Sequence, residues 1–505
     1  MLSLSTGHDT RYLTDAVAGG REGYYTGAVA AGEPAGRWYG AGVEALGLAG
    51  EVDATTMEAL YSRLLDPRDP AARGRETWDE ARPLARGHRA YRTADQVYDA
   101  LVAGEPGAGP ERRAELRAQA DRSARQAVSF IDATFSAPKS VTVLAAAFER
   151  AANDARAAGD LEAAEAWATH QQAVEDAVMA GARASIDYLQ DVAGYSRAGH
   201  HGGGAGRWVD AHGFVVAQFL QHDSRDRDPQ LHVHQAILNR VRCADGTWRT
   251  LDSRGLHIAR AAAGAIAERV MEAHLARALG VRFETRPDGK AREVVGVPRA
   301  VIDMFSSRRR AVTAKAADLI AAYRARHGRE PSPLERTRIS QRATLATRRS
   351  KSHDGETAAQ RLDRWDAELR AELRTGLAEV ASMVLGRAQD GGPAATWSER
   401  DVVERALAAL GDKRTSWSRS DLVRAVSDAL PGHLDVDPAR IRALLDGLAD
   451  AAEPNAVKLT RDEPTEGLPD ELLREDGSSQ YAQPRGSCAP SRPCTTPPSS
   501  AVPPR

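Results

Sequence analysis

Cysteine is nearly absent from this chain of 505 residues: there are three, Cys243, Cys488 and Cys494, the last two close to the C-terminal end. Three thiols so placed make neither a disulfide framework nor a cysteine-type zinc site, and they fit a reducing compartment. Long apolar runs are missing as well. No stretch approaches 18 consecutive apolar residues, and the first residues lack a charged segment followed by an apolar core. Neither a membrane insertion nor a secretory leader is expected, so the chain reads as soluble and cytoplasmic. Charge of one sign is not in excess either. Lys and Arg number 68 against 70 Asp and Glu, a formal net charge of -2, and composition alone gives no pull toward DNA or membrane.

That balance hides local asymmetry. Between 306 and 351 there are 13 Lys and Arg against 3 Asp and Glu, a basic stripe that suits phosphates and equally suits a solvated helical face. From 484 to 505, 7 of 22 residues are proline, with serine and threonine between them; such a segment buries too little apolar surface to fold and reads as disordered. The length allows two to four domains. In between, 128–135 alternates like a strand, and Ser136, followed by Pro138, reads as the cap of a helix. Ala-rich helical sequence fills 141–190, and a short strand fits 247–251. Amphipathic helix covers 256–280, mostly helical sequence covers 300–388, and three helices fit around 400–410, 419–430 and 437–452. Interleaved helices and strands, the strands apparently linked as hairpins, point to an α+β fold on an antiparallel sheet.

The densest chemistry lies in 213–242. There the run FLQHDSRDRDPQLHVHQAILN at 219–239 carries His222, His232 and His234. Residues two apart on a strand share a face, so His232 and His234 point to one side of a sheet. His222 follows an apolar strand and, across a polar turn, is expected to reach the same side. Three neutral imidazoles meeting at one point make a divalent-metal site with an open coordination position. Polar strand residues without a ligand would give the same spacing, and spacing by itself does not choose between the two.

Two other stretches decide the matter. FIDATFSAPKS at 130–140 resembles the Asp-x-Thr-Phe-Ser-Ala-Pro-Lys-Ser block of MobF-type conjugative relaxases, the TrwC/TraI family, within the HUH endonucleases. The histidine run resembles that family's three-histidine motif. Tyr24 and Tyr25, followed by RWYGAG at 37–42 and LGL at 46–48, are similar to its N-terminal tyrosine region. Three motifs in the family's order cover roughly residues 1–260.

The resemblance implies an HUH relaxase domain, an antiparallel sheet with surrounding helices. A small helical domain and a disordered tail would follow it. The expected divisions are a relaxase core at 1–310, a basic helical extension at 311–390, a helical connector at 396–465 and the tail at 475–505. It implies an enzyme that nicks and rejoins one DNA strand through a 5′-phosphotyrosyl intermediate to begin conjugative transfer. A rolling-circle replication initiator is the alternative with the same chemistry, and a catalytically inactive origin-binding repressor the alternative without it.

The implied nucleophile is Tyr24, then Tyr25, then Tyr12. The family commonly has two tyrosine pairs, and Ala16 and Val17 stand where the first would fall. Asp132 carries over as proton acceptor or as the carboxylate that orients a metal-binding histidine, and His222, His232 and His234 as metal ligands. Magnesium or manganese suits a phosphate site, and three imidazoles also accept zinc or nickel. Lys139 and Arg225 are the implied phosphate contacts, and Asn239 matches without an assigned role.

The implied partners are origin-of-transfer DNA, as hairpin and single strand, with relaxosome accessory proteins and a coupling protein. Full-length members continue into an ATP-driven helicase. This chain has no G-x-x-x-x-G-K-[ST] phosphate loop, so a separate helicase is expected. The Pro/Ser tail departs from the family and suggests a truncated or frame-shifted product.

Overall fold

Alternation of apolar and polar residues along FIDATFS gives 130–136 two unlike faces, the pattern of a strand buried on one side. The computed structural model describes residues 1–8, 34–199, 206–224, 226–289, 291–348, 356–389, 396–457, 459, 465–482 and 484. In it the first strands are β1 (Leu2–Gly7), β2 (Arg37–Tyr39) and β3 (Phe130–Ser136). A separate hairpin is made by β4 (Tyr195–Ala198) and β5 (Arg207–Asp210), and β6 (Val216–Asp223) and β7 (Pro229–Leu238) carry the histidine run. The main sheet has the order β1-β3-β7-β6-β2, and every neighbouring pair is antiparallel. The fold is thus the α+β, antiparallel-sheet class that the sequence implies. Among the described residues only β6 and β7 are joined as a hairpin within this sheet; β1 and β2, consecutive in the chain, are its two opposite edges.

One face of the sheet is apolar apart from the buried, mutually bonded Gln218 and Gln235. Ile131, Ala133 and Phe135 of β3, Val216 of β6, and Val233 and Ile237 of β7 are buried under helices. Between a short helix at Ala54–Glu58 and β3 lie α1 (Ala94–Gly104) and α2 (Pro110–Ser123). The covering layer is α3 (Lys139–Ala157), α4 (Leu161–Ala193) and α5 (Ser253–Leu279). On the other face, Phe130, Ala217, Phe219, Ala236 and Leu238 are covered at one end by Leu46, Met57, Leu60, Tyr61 and Leu64. The Tyr61 hydroxyl donates to the Ala236 carbonyl at 2.8 Å. Further along this face the same strands carry Asp132, Thr134, His232 and His234, so it is apolar at one end and polar at the other.

Helices α4 and α5 cross with almost no space between backbones. A Cβ on Gly181 would lie 2.6 Å from the Ala267 carbonyl oxygen and 3.0 Å from Met271 Cβ. Backbone cannot step aside as a flexible side chain does. Gly181→Ala is therefore expected to cost about 1–3 kcal/mol through overpacking, read as a lower denaturant midpoint at unchanged slope.

The start of α3 differs from the expected cap. The strand runs through Ser136, and Pro138 occupies the N-cap without a side-chain hydrogen bond. A distant carboxylate takes over. After the short hairpin of β8 (Val241–Arg242) and β9 (Trp248–Arg249) come β10 (Phe283–Thr285) and β11 (Arg292–Val294). Glu293 of β11 accepts from the Ser140 backbone N at 3.0 Å, and the Ser140 hydroxyl accepts from Val294 N at 2.8 Å. The negative charge meets the positive end of the helix, a solution no local pattern could signal.

The basic stripe falls on α6 (Ser307–His327) and α7 (Pro333–Ala346), which pack on each other. No residue of α6 is buried, and only Ala343 of α7 is. Part of its charge is paired locally: Arg324 and Arg336 with Glu330, and Arg329 with Glu335. Two helices follow, α8 (Ala358–Leu373) and α9 (Leu377–Gln389). Then come α10 (Glu399–Lys413), α11 (Arg419–Ala429) and α12 (Ile441–Ala452). Val402, Leu422, Val426, Leu445 and Leu448 from these last three join the same apolar cluster as the sheet.

Residues 470–482, part of which the sequence reading gives to the tail, fold onto the β4–β5 hairpin. The Gln480 carbonyl accepts from Trp208 N at 2.7 Å, and Glu475 N donates to Asp210 at 3.0 Å. Among the described residues no helix is long and apolar enough to cross a membrane.

Candidate active site

The register of β3, β7 and β6 builds the polar end of the open face. Ser136 lies opposite His232 across β3 and β7, and Phe219 and Gln221 lie opposite His234 and His232 across β6 and β7. Period two therefore brings His232 and His234 to one face, as expected, with ring centroids 5.0 Å apart and planes at 70°. Asp132 enters from the neighbouring strand.

Both rings are held through Nδ1. His232 Nδ1 donates to the Gln230 carbonyl at 2.8 Å, and because a carbonyl only accepts, the tautomer is set. His234 Nδ1 donates to Asp132 Oδ2 at 2.8 Å, and the Thr134 hydroxyl donates to the same oxygen at 3.2 Å. Burial opposes the charge on Asp132, but the adjacent His234 and the hydrogen bonds from His234 and Thr134 outweigh it and hold the carboxyl below its ordinary range. Its other oxygen, Oδ1, is buried and has no hydrogen-bond partner among the described residues. One oxygen orients a histidine while the other is left as an acceptor.

His222 is placed differently from the sequence reading. The register of β6 and β7 shifts between Gln221 and Asp223, a bulge that re-aims side chains at the strand end. His222 Nε2 donates to Glu175 Oε1 of α4 at 3.0 Å, so it engages the helical layer. Among the described residues no three His, Cys, Asp or Glu side chains stand together as a metal cage. The donor chemistry still suits one. A histidine whose Nδ1 is fixed by a carbonyl or carboxylate presents Nε2 to a metal in the usual way, as His232 and His234 are arranged to do. A third imidazole is on the adjoining strand with Glu175 as its partner.

Lys139, expected at a phosphate, lies at the start of α3 with its ammonium donating to the Pro229 carbonyl at 2.5 Å and to Gln230 Oε1 at 3.0 Å. Burial pushes its pKa down to about 8. Asn239 is structural, its amide donating to the Val128 carbonyl at 2.8 Å. Arg225, Tyr12, Tyr24 and Tyr25 lie outside the described residues. The described tyrosine of β2, Tyr39, donates to both oxygens of Asp187 at 2.8 and 2.9 Å. Burial and that carboxylate raise its pKa, which makes it a poor nucleophile. Sequence reasoning missed Glu175 and Gln230. Gln230 lies inside the quoted motif, whereas nothing local marks Glu175.

A family model described as TrwC relaxase matches residues 6–372 of the chain. The chain belongs to the TrwC relaxase family. Membership carries the enzyme class, a DNA relaxase, and the matched span covers every site residue named above. Among curated relatives of this relaxase, the multifunctional conjugation protein TraI of Escherichia coli is 27% identical over 443 residues. The TraI of Escherichia coli strain K12 is 26% identical over 445. Each alignment takes in 85% of this chain and 19% of the relative, so the chain spans about a fifth of their length. A solved metal-bound structure of the conjugative relaxase TrwC with oriT DNA is 25% identical, covering 75% of this chain and 100% of that one with a TM-score of 0.45. A metal-free complex is 24% identical, with 74% and 98% coverage and a TM-score of 0.44.

Proposed function

We propose that this relaxase cleaves one strand of an origin of conjugative transfer by transesterification and later rejoins it. A tyrosine oxygen forms a bond to phosphorus, the bond to the 3′-oxygen breaks, and that oxygen leaves with a proton. A 5′-phosphotyrosyl link and a free 3′-hydroxyl result, and the reverse attack restores the strand without ATP. Tyr24 is the first candidate, followed by Tyr25 and Tyr12. A phenol near its reference pKa of about 10 needs an acceptor for its proton, and Asp132 supplies one through Oδ1. The observation that carries this reading is the buried Asp132–His234 pair beside His232 on a single sheet face.

A divalent metal bound by His232 and His234, and by His222 once its ring leaves Glu175, magnesium or manganese in the first instance, would polarise the non-bridging oxygens of the scissile phosphate. Single-stranded or locally melted origin DNA would be held through its phosphates, with Arg225 and the cationic surface of α6 and α7 as contacts. Accessory proteins and a coupling protein complete the assembly we envisage, in the cytoplasm.

The test is incubation of the full chain with an oligonucleotide carrying its origin and a divalent cation. A covalent protein–DNA adduct is expected, and it should vanish in whichever of Tyr24→Phe, Tyr25→Phe or Tyr12→Phe removes the nucleophile. DNA retarded in a gel without any adduct from the wild-type chain would favour an origin-binding repressor instead.

A further inference from the structure

We propose that Lys139 and Gln230 are positioning residues for His232, and that Lys139 acts without touching DNA; the role assigned to His232 rests on the reading above. The chain of contacts is short. Lys139 holds Gln230 by its side-chain oxygen, and Gln230 in turn offers its backbone carbonyl to His232 Nδ1 at 2.8 Å. The Gln230 amide also donates to the Ala137 carbonyl at 3.2 Å. The first two residues of β7 are thus gripped from the start of α3 and from the exit of β3.

The turn ahead of them is held from two further sides. Asp228 Oδ2 accepts from the Ser307 backbone N, the first residue of α6, at 2.8 Å. The Arg227 carbonyl accepts from Trp365 Nε1 at 2.8 Å and Arg364 Nη2 at 3.1 Å, both from α8. Arg227 itself has φ of 64°, the left-handed region that costs a non-glycine residue about 1–3 kcal/mol when surroundings impose it. Two separate elements, α6 and α8, therefore fix a turn that carries backbone strain.

The chemistry explains why such a grip matters. An imidazole presents Nε2 in a defined direction only if Nδ1 is tied down, which sets tautomer and ring plane together. For His232 the tie is a main-chain carbonyl, and a carbonyl moves whenever its residue moves. A compact ammonium in a pocket of protein acceptors holds that residue; a planar guanidinium would not fit the same place.

The experiment compares Lys139→Met, Lys139→Arg and Gln230→Met in the full chain. It reads three quantities: oligonucleotide affinity against salt, the rate of adduct formation at saturating DNA, and the ring-nitrogen NMR signals of the histidines without DNA. Lys139→Met is expected to leave affinity within about twofold and its salt slope unchanged, while adduct formation slows by about 10- to 100-fold, the range for losing a partner that orients a ligating histidine. The His232 Nδ1–H signal should shift or broaden, and Lys139→Arg should not restore it.

A phosphate contact would give the reverse: weaker binding, a salt slope reduced by about 0.7–0.9, and rescue by arginine. That result, or an unmoved His232 signal, overturns the proposal. If Lys139→Met does not fold, Gln230→Met tests the same chain of contacts from its other side. If wild type forms no adduct, the nicking reading fails, and the His232 signal of the free protein still decides the positioning role.

Discussion

Asp132→Asn is expected to slow adduct formation by about 10²–10⁴-fold, the span over which a positioned proton acceptor contributes, while DNA affinity stays within a few-fold. The amide keeps the size of the carboxylate and loses two properties at once. It carries no charge to strengthen the bond from His234 Nδ1–H, and its remaining oxygen is a weaker acceptor for His234 Nδ1, which now donates to Oδ2 at 2.8 Å. If the amide nitrogen turned toward the ring, two donors would face each other and His234 would have to change tautomer or swing away. With the amide oxygen toward the ring, the acceptor at Oδ1 becomes a donor; with the nitrogen toward the ring, an oxygen stays there, but a neutral amide oxygen is too weak a base to take a proton.

Thr134→Val is the companion variant. It removes the 3.2 Å hydroxyl bond to Oδ2 and the 3.3 Å contact of the same hydroxyl with His234 Nδ1, and should cost about tenfold or less. An Asp132→Asn chain that nicks at the wild-type rate would remove the pair from the reaction altogether.

The same pair makes a statement about pH. The folded Asp132 carboxyl lies below its ordinary range, with burial opposed by His234 and the hydrogen bonds. Its charge therefore adds stability that is complete above the ordinary carboxylate pKa and is lost as pH falls through the lowered folded value. Asp132→Asn should weaken that acid dependence, and a urea titration repeated from neutral to acid pH would measure it.

How much of this was readable beforehand depends on the distance over which each interaction acts. The faces of β3 and β7 follow from period two within a few residues, and His232 and His234 come together for the same reason. The Asp132–His234 bond spans 102 positions; only motif order in a known family brought those residues into one expectation. His222 was readable as the end of a strand, not as a partner of Glu175, 47 positions earlier on a helix, because a bulge leaves no signature in the composition of β6. Lys139 stands in a motif as a lone cation, which reads as a phosphate ligand. Its actual partners come from a turn some 90 residues later. The cap of α3 failed likewise: Ser136 has the right chemistry, but strand pairing with β7 claims it, and Glu293 arrives from elsewhere.

The second large effect is expected far from the histidines, in how α11 is fastened to α5. Arg269→Leu should destabilise the chain by about 3–5 kcal/mol, the cost of removing one partner from a buried ionic network. Arg269 is only 1% exposed. Its guanidinium donates to the carbonyls of Ser427 at 2.6 Å, Pro431 at 2.8 Å, Gly432 at 3.1 Å and Leu430 at 3.3 Å. Those carbonyls include the unsatisfied C-terminal end of α11, where a cation also meets the negative pole of the helix. Glu272 bonds Arg269 at 3.3 Å and Arg292 at 2.7 Å, and Arg292 also reaches Glu268.

Leucine fills part of the volume but leaves the carbonyls buried and unpaired, at about 1–3 kcal/mol for each group so stranded. The control is on the same helix. Arg277 pairs with Asp437 at 2.6 Å, but its side chain is 63% exposed, and Arg277→Leu should change stability by less than about 1 kcal/mol. Limited proteolysis alongside the denaturant titration should show cleavage between α9 and α10 rising sharply in Arg269→Leu alone. Equal midpoints for the two variants would mean that apolar contacts of Leu422, Val423 and Val426 hold α11 in place and that the buried guanidinium contributes nothing net.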